Sequence, residues 1–126
     1  MNKYAQGWQS LHAAVHTLAG ASDQKQRLES AIIFNLSQIN PERDLPPEVR
    51  RHFVTFMREM RTHHTRDSEG AVWEVIKLMD SLQRQQAITH IIDFYDAVSR
   101  LTGVGEEDGA EYGKQTAAAV PRDFDG

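Results

Sequence analysis

The residues best suited to chemistry in this chain of 126 residues are its six histidines, because imidazole binds metals and exchanges protons near neutral pH. His12 and His16 are four residues apart, so a helix places both on one side, a spacing that can chelate a metal ion. The two residues between them are alanines, which excludes the HExxH signature of zinc proteases. We interpret the two histidines as a solvated pair beside the apolar stripe, with a metal site as the alternative.

A second group lies on one predicted helix, about residues 47–64. At about 100° per residue, His52, Glu59 and His63 share a strip beside the apolar side of this helix, whereas His64 lies on the other flank. Glu59 and His63 could bind one ion, but a usable site needs a third ligand from another helix. The preferred interpretation is a surface pair that stabilises the helix slightly. The candidate ligands of the metal alternative are His12, His16, Glu59, His63 and His64.

His90 and Asp93 are three residues apart on the last predicted helix, and a carboxylate that orients an imidazole is a catalytic arrangement in principle. No serine or second base can be related to them, and the chain has no cysteine. The chain also lacks a glycine-rich phosphate loop and a nucleophile elbow. The sequence therefore predicts no catalytic residue and no cofactor, and it favours a non-enzymatic protein.

Four arginines form the sharpest pattern, on the predicted helix that also carries His52. They fall within about 100° of one another around the helix, away from its apolar side. Such a face could bind phosphates or an acidic protein surface, although a plain solvent-exposed face is the simplest interpretation. The net charge of −4 and the lack of a recognisable reader motif weigh against nucleic acid. The candidate binding residues are Arg50, Arg51, Arg58 and Arg61.

Apolar residues at helical spacing predict the elements that position these side chains. The predicted helices cover about residues 3–19, 24–39, 47–64 and 69–80, and a last one ends near residue 102. No alternating run typical of a strand is found. The sequence predicts an all-α fold, a single-domain bundle of about five helices over residues 1–103.

Turn and cap residues predict where these helices begin and end. Ser22 or Asp23 is a candidate cap for the second helix, and Asp23 has capping-box spacing with Gln26. Gly20 and Gly103 suit left-handed positions after helix ends. The stripes of the last two helices lie on opposite faces of a continuous helix, which predicts a break near residues 80–84 with Ser81 as a cap. Three apolar residues are left over once each stripe is buried, and they could form a dimer contact or simply widen the core: Ile33, Phe34 and Phe94.

Residues 104–126 hold six acidic and two basic residues, which is the whole net charge of −4. Without a sustained apolar period, they are predicted to form a flexible acidic tail. No signal peptide or membrane span is found, so cytoplasmic residence and no membrane partner are expected. We infer a small protein–protein interaction or regulatory module whose partner is a protein, with a homodimer as one option. A nucleic-acid-associated regulator and a small helical metalloprotein are the alternatives.

Overall fold

A computed structural model describes residues 3–61 and 68–103 and confirms the all-α class. His63, His64 and the predicted tail lie outside the described residues. No helix in the described ranges is both long and apolar enough to cross a bilayer. The helices are α1 (Ala5–Leu18), α2 (Gln24–Ser30), α3 (Pro41–Asp44), α4 (Pro47–Glu59), α5 (Ser68–Leu78) and α6 (Ser81–Thr102).

The core is built around α6, which packs against α1, α2 and α4, while α5 packs against α2. Every predicted stripe contributes buried side chains, as expected for amphipathic helices that share one core. The largest fully buried side chains include Leu11, Leu28, Ile32, Leu36, Phe53, Ile76 and Ile91.

The buried side of α6 is wider than its predicted stripe of Ile88, Ile91, Tyr95 and Val98. Ile88, Ile91 and Val98 are buried as predicted, and Ala87 and Phe94 are buried as well. The ring of Phe94 contacts the rings of Phe53 and Phe56 at 5.7 and 5.6 Å. Of the two alternatives for Phe94, a dimer contact or a wider core, the structure shows the second, because α4 covers the side of α6 that carries it. Phe34 is exposed by 67% and Ile33 is half-buried.

The predicted helix over residues 24–39 consists of three geometries. After α2 the backbone widens into a π-helical segment, Ala31–Asn35, and then tightens into a 3-10 turn, Leu36–Gln38. Asn35 ties this segment to α1, because its Oδ1 accepts a hydrogen bond of 2.9 Å from the hydroxyl of Thr17. A π-helical turn inside a helix is rare, and the apolar spacing alone does not reveal it.

The short helix α3 stands where the sequence predicts only a connection. The Asn40 side chain accepts hydrogen bonds from the backbone N–H groups of Glu42 and Arg43, and Pro41 occupies the first turn. Asn followed by Pro is a recognised helix start, so this signal was present in the sequence.

Helix α3 contacts α1 through backbone atoms. A Cβ added at Gly7 would lie 3.0 Å from the carbonyl carbon of Asp44 and still closer to its oxygen. The absence of a side chain at Gly7 therefore permits the close approach of the two helices.

Asp44 is a buried carboxylate at this crossing. Arg43 donates to it from Nε at 2.8 Å and from Nη2 at 3.1 Å, and the Asn40 N–H donates at 2.8 Å. The hydrogen bonds from Arg43 hold the pKa of Asp44 below its usual value; burial opposes this, and the Asn40 N–H adds to it.

Some of the predicted helix caps and breaks agree with the structure, and others do not. Asp23 caps α2 by accepting from the Gln26 N–H at 2.8 Å, as predicted. The break between α5 and α6 is confirmed, but Asp80 is the cap, in a reciprocal pair with Gln83, so the prediction of Ser81 is wrong. Gly103 has the expected positive φ of 74°, whereas Gly20 does not, which corrects its predicted left-handed geometry.

Candidate functional site: the groove between α4 and α6

Helices α4 and α6 are joined by aromatic contacts whose order, later residues of α4 against earlier residues of α6, indicates that the two helices run antiparallel. Phe53 and Phe56 both contact Phe94, and Phe56 also lies 6.0 Å from the ring of His90, one turn earlier in α6. Edge-to-face aromatic pairs of this kind stabilise a fixed geometry. The two helices therefore form a defined seam.

A groove follows this seam on the surface, with a volume of about 520 Å³. Its apolar lining comes from Val49, Phe56, Phe94 and Ala97, all buried or half-buried. Thr55 lies between these apolar side chains and the charged rims. The charged and histidine side chains of the groove are Glu48, Arg51, His52, Glu59, His90, Asp93 and Arg100, and all are exposed.

The groove brings together two sets of candidate residues that lie on different predicted helices. The strip of His52 and Glu59 forms one wall, and His90 and Asp93 belong to the opposite wall. Even so, no group of three or more His, Cys, Asp or Glu residues in the described ranges is arranged to hold a metal ion.

Charge is distributed unevenly along the groove. Since the helices are antiparallel, Arg51 near the start of α4 and Arg100 near the end of α6 lie at one end. Glu59 and His90 lie at the other, with Asp93 between the two ends. Arg100 is paired with Asp96 at 3.0 Å. The arginines of the groove thus lie at one end, which also carries Glu48, whereas the carboxylate of Glu59 lies at the other end.

The structure places the four arginines of α4 in different surroundings. Arg50 is half-buried, and its Nε donates to the carbonyls of Pro41 and Leu45 at 3.1 and 2.9 Å. Arg61 donates from Nη2 to the hydroxyl of Ser37 at 2.5 Å. Two guanidinium groups thus fix neighbouring segments of the chain.

The other two arginines, Arg51 and Arg58, are exposed. Arg51 lines the groove and Arg58 does not. They provide a matched pair on the same helix for testing the groove.

His12 and His16 lie on α1, away from the groove. Their Nε2 atoms are 3.3 Å apart, and the His12 ring stacks on Trp8 with 4.8 Å between centroids. The sequence predicts that both histidines are solvated. His16 is exposed, as expected, whereas His12 is half-buried.

Sequence reasoning missed the apolar lining of the groove. The apolar spacing leaves Phe94 outside the predicted stripe of α6, and nothing in it singles out Thr55 or Ala97. Residues 87, 91, 94 and 98 also follow a 4-3-4 spacing, so a second stripe was visible in the sequence. The two stripes overlap and the structure buries residues of both; that Phe94 meets α4 depends on packing.

No protein-family model, curated protein or solved structure matches the chain. A fold alone does not define a function, whereas a site's chemistry can indicate one. The function is therefore inferred from the side chains that meet in the groove.

Proposed function

We propose that this protein is a non-enzymatic interaction module that binds an amphipathic helix of a partner protein in the groove between α4 and α6. The observation that carries the proposal is the groove's combination of an apolar floor with rims of both charge signs. Recognition of an amphipathic helix by a groove uses apolar anchor residues for affinity and flanking charges for orientation. We expect the complex to form in the cytoplasm.

The shape of the groove favours a helix over a compact ligand. From Glu48 to Glu59 its wall extends along α4 by eleven residues, or about 16 Å. That length corresponds to about three turns of a bound helix. A row of apolar side chains on such a helix would contact Phe56 and Phe94 along the seam.

The charges of the groove suggest the orientation of the bound helix. An acidic side chain of the partner would face Arg51, while a basic one would face Glu59 at the other end or Asp93 between the two ends. Reversing a rim charge introduces repulsion and leaves the apolar floor unchanged, so it tests orientation separately from burial.

Site-specific photo-crosslinking in the cells that make the protein tests the proposal. A crosslinking residue replaces Thr55 in the groove or, as a control, the exposed Gln9 on α1. We expect Thr55 to give one dominant adduct whose crosslinked peptide is an amphipathic helix, and Gln9 to give none. The Thr55 adduct should decrease strongly in Arg51→Glu and persist in Arg58→Glu.

Three outcomes would contradict the proposal. Equal adducts from both positions would mean unspecific contact. An adduct with a second copy of this chain would indicate a homodimer through the groove, and one with nucleic acid would favour a nucleic-acid-associated regulator. Steeply salt-dependent binding to unrelated duplexes would accompany the last outcome.

A further inference from the structure

The two histidines of α1 form a side-chain cluster that the groove does not use. His12 and His16 are one helical turn apart, and their Nε2 atoms are separated by 3.3 Å. The His12 ring meets the His16 ring edge-on, with centroids 4.5 Å apart. In the absence of metal, one ring nitrogen can donate its hydrogen to the other.

The separation of 3.3 Å between the two Nε2 atoms suits two nitrogen ligands of one metal ion. Imidazole nitrogens bind Zn²⁺ at about 2.0–2.1 Å, so two of them at the tetrahedral angle are about 3.3 Å apart. A small rotation of the rings that aims both lone pairs at one point would therefore complete a bidentate site. The backbone spacing does not need to change.

His12 is held in place by neighbouring aromatic rings. It stacks on Trp8 at an interplanar angle of 15° and lies 5.8 Å from the ring of Tyr95 on α6. Trp8 is itself fixed, because its Nε1–H donates to the Ser99 hydroxyl at 2.7 Å. A ligand ring positioned by neighbouring contacts loses little freedom on binding.

The surroundings of His16 allow an ion to enter. His16 is exposed, whereas His12 is half-buried between its aromatic neighbours. No third His, Cys, Asp or Glu in the described ranges completes the set. Water would fill the remaining positions of an ion bound here, so the site would be open.

We propose that His12 and His16 bind one divalent ion of the late first-row transition metals through their Nε2 atoms. Imidazole ligands suit Cu²⁺, Ni²⁺ and Zn²⁺, and affinity in this series is highest for Cu²⁺. The site is independent of the groove and does not rest on the proposed function.

Copper titration followed by tryptophan fluorescence tests this site in the full chain. A paramagnetic ion beside His12 quenches Trp8, which stacks on that ring, and leaves Trp73 on α5 as an internal reference. We expect saturable quenching with one Cu²⁺ per chain. Trp8→Phe should abolish it, and His16→Ala should raise the apparent Kd at least about tenfold.

Two control variants distinguish this site from the other histidines. His52→Ala on α4 and a double variant of His63 and His64 should leave the quenching of Trp8 unchanged. Circular dichroism of His16→Ala should match the wild type, since His16 is exposed and alanine favours helix. As a diamagnetic check, Zn²⁺ should shift the side-chain NMR resonances of His12 and His16 together.

The proposal is overturned if His16→Ala binds Cu²⁺ as the wild type does, or if Trp8→Phe is quenched to the same extent. Loss of quenching in the double variant of His63 and His64 would also overturn it, because the ion would then be bound elsewhere. None of these results bears on the groove.

Discussion

Gly7 shows how a single residue sets the distance between two helices. In an unobstructed helix, Gly→Ala stabilises by roughly 0.5–1 kcal/mol. Here the added methyl group meets the Asp44 backbone, which cannot move aside like a flexible side chain. We expect Gly7→Ala to lower the free energy of unfolding by about 1–3 kcal/mol.

Urea denaturation followed by circular dichroism measures this effect. Gln6→Ala, at an exposed position of the same helix, is the control and should leave stability nearly unchanged. A stabilised Gly7→Ala variant would mean that α1 and α3 are not in backbone contact.

The buried carboxylate of Asp44 should make the free energy of unfolding depend on pH. Its pKa is lowered in the folded state, chiefly by hydrogen bonds from Arg43. Its stabilising contribution is therefore complete above the unfolded value of about 3.9 and is lost as pH falls toward the folded pKa. We expect Asp44→Asn to cost about 1–3 kcal/mol at pH 7.

The difference between wild type and Asp44→Asn should shrink when denaturation is repeated at pH 3. Comparing the two chains at each pH removes effects that they share, such as the protonation of other carboxylates. If the difference is the same at both pH values, the ionised carboxylate is not the stabilising form.

At the scale of elements, the joint between α5 and α6 depends on a cap. Asp80 accepts from the Gln83 N–H at 2.8 Å, whereas Ser81 is the first residue of α6. We expect Asp80→Ala to lower the free energy of unfolding by about 1 kcal/mol and Ser81→Ala to change it by less than about 0.5 kcal/mol. Equal losses in thermal denaturation would contradict this assignment of the cap.

The elements also show what the sequence could predict and what it could not. The stripes of α1, α2 and α4 were predicted because helical spacing is local information. The π-helical segment and the burial of Phe94 against α4 were not, since both depend on neighbours distant in sequence. Helical spacing also predicts that His52 and Glu59 share a strip of α4. That this strip lies opposite His90 and Asp93 follows only from the packing of α4 on α6, which the sequence pattern does not show.

At the scale of the whole molecule, the buried core residues of the described ranges all lie between Trp8 and Val98. The predicted domain boundary at residue 103 therefore stays a prediction that deletion can test. We expect removal of residues 104–126 to change the free energy of unfolding by less than about 0.5 kcal/mol, because it removes none of these core side chains. A large loss in urea denaturation would place part of the stabilising structure beyond Gly103.

Binding of a partner helix in the groove is tested most directly with the helix that crosslinking identifies. A synthetic peptide of that helix is titrated into the isotope-labelled full chain, and chemical shifts and affinity are measured by NMR and calorimetry. We predict shift changes concentrated in α4 and α6, and a Kd at least about tenfold weaker, or about 1.4 kcal/mol, for Arg51→Glu.

Arg58→Glu should bind the peptide within about twofold of the wild type, which is less than 0.5 kcal/mol. Shift changes centred on α1 or α2, or equal losses of affinity in Arg51→Glu and Arg58→Glu, would contradict binding in the groove.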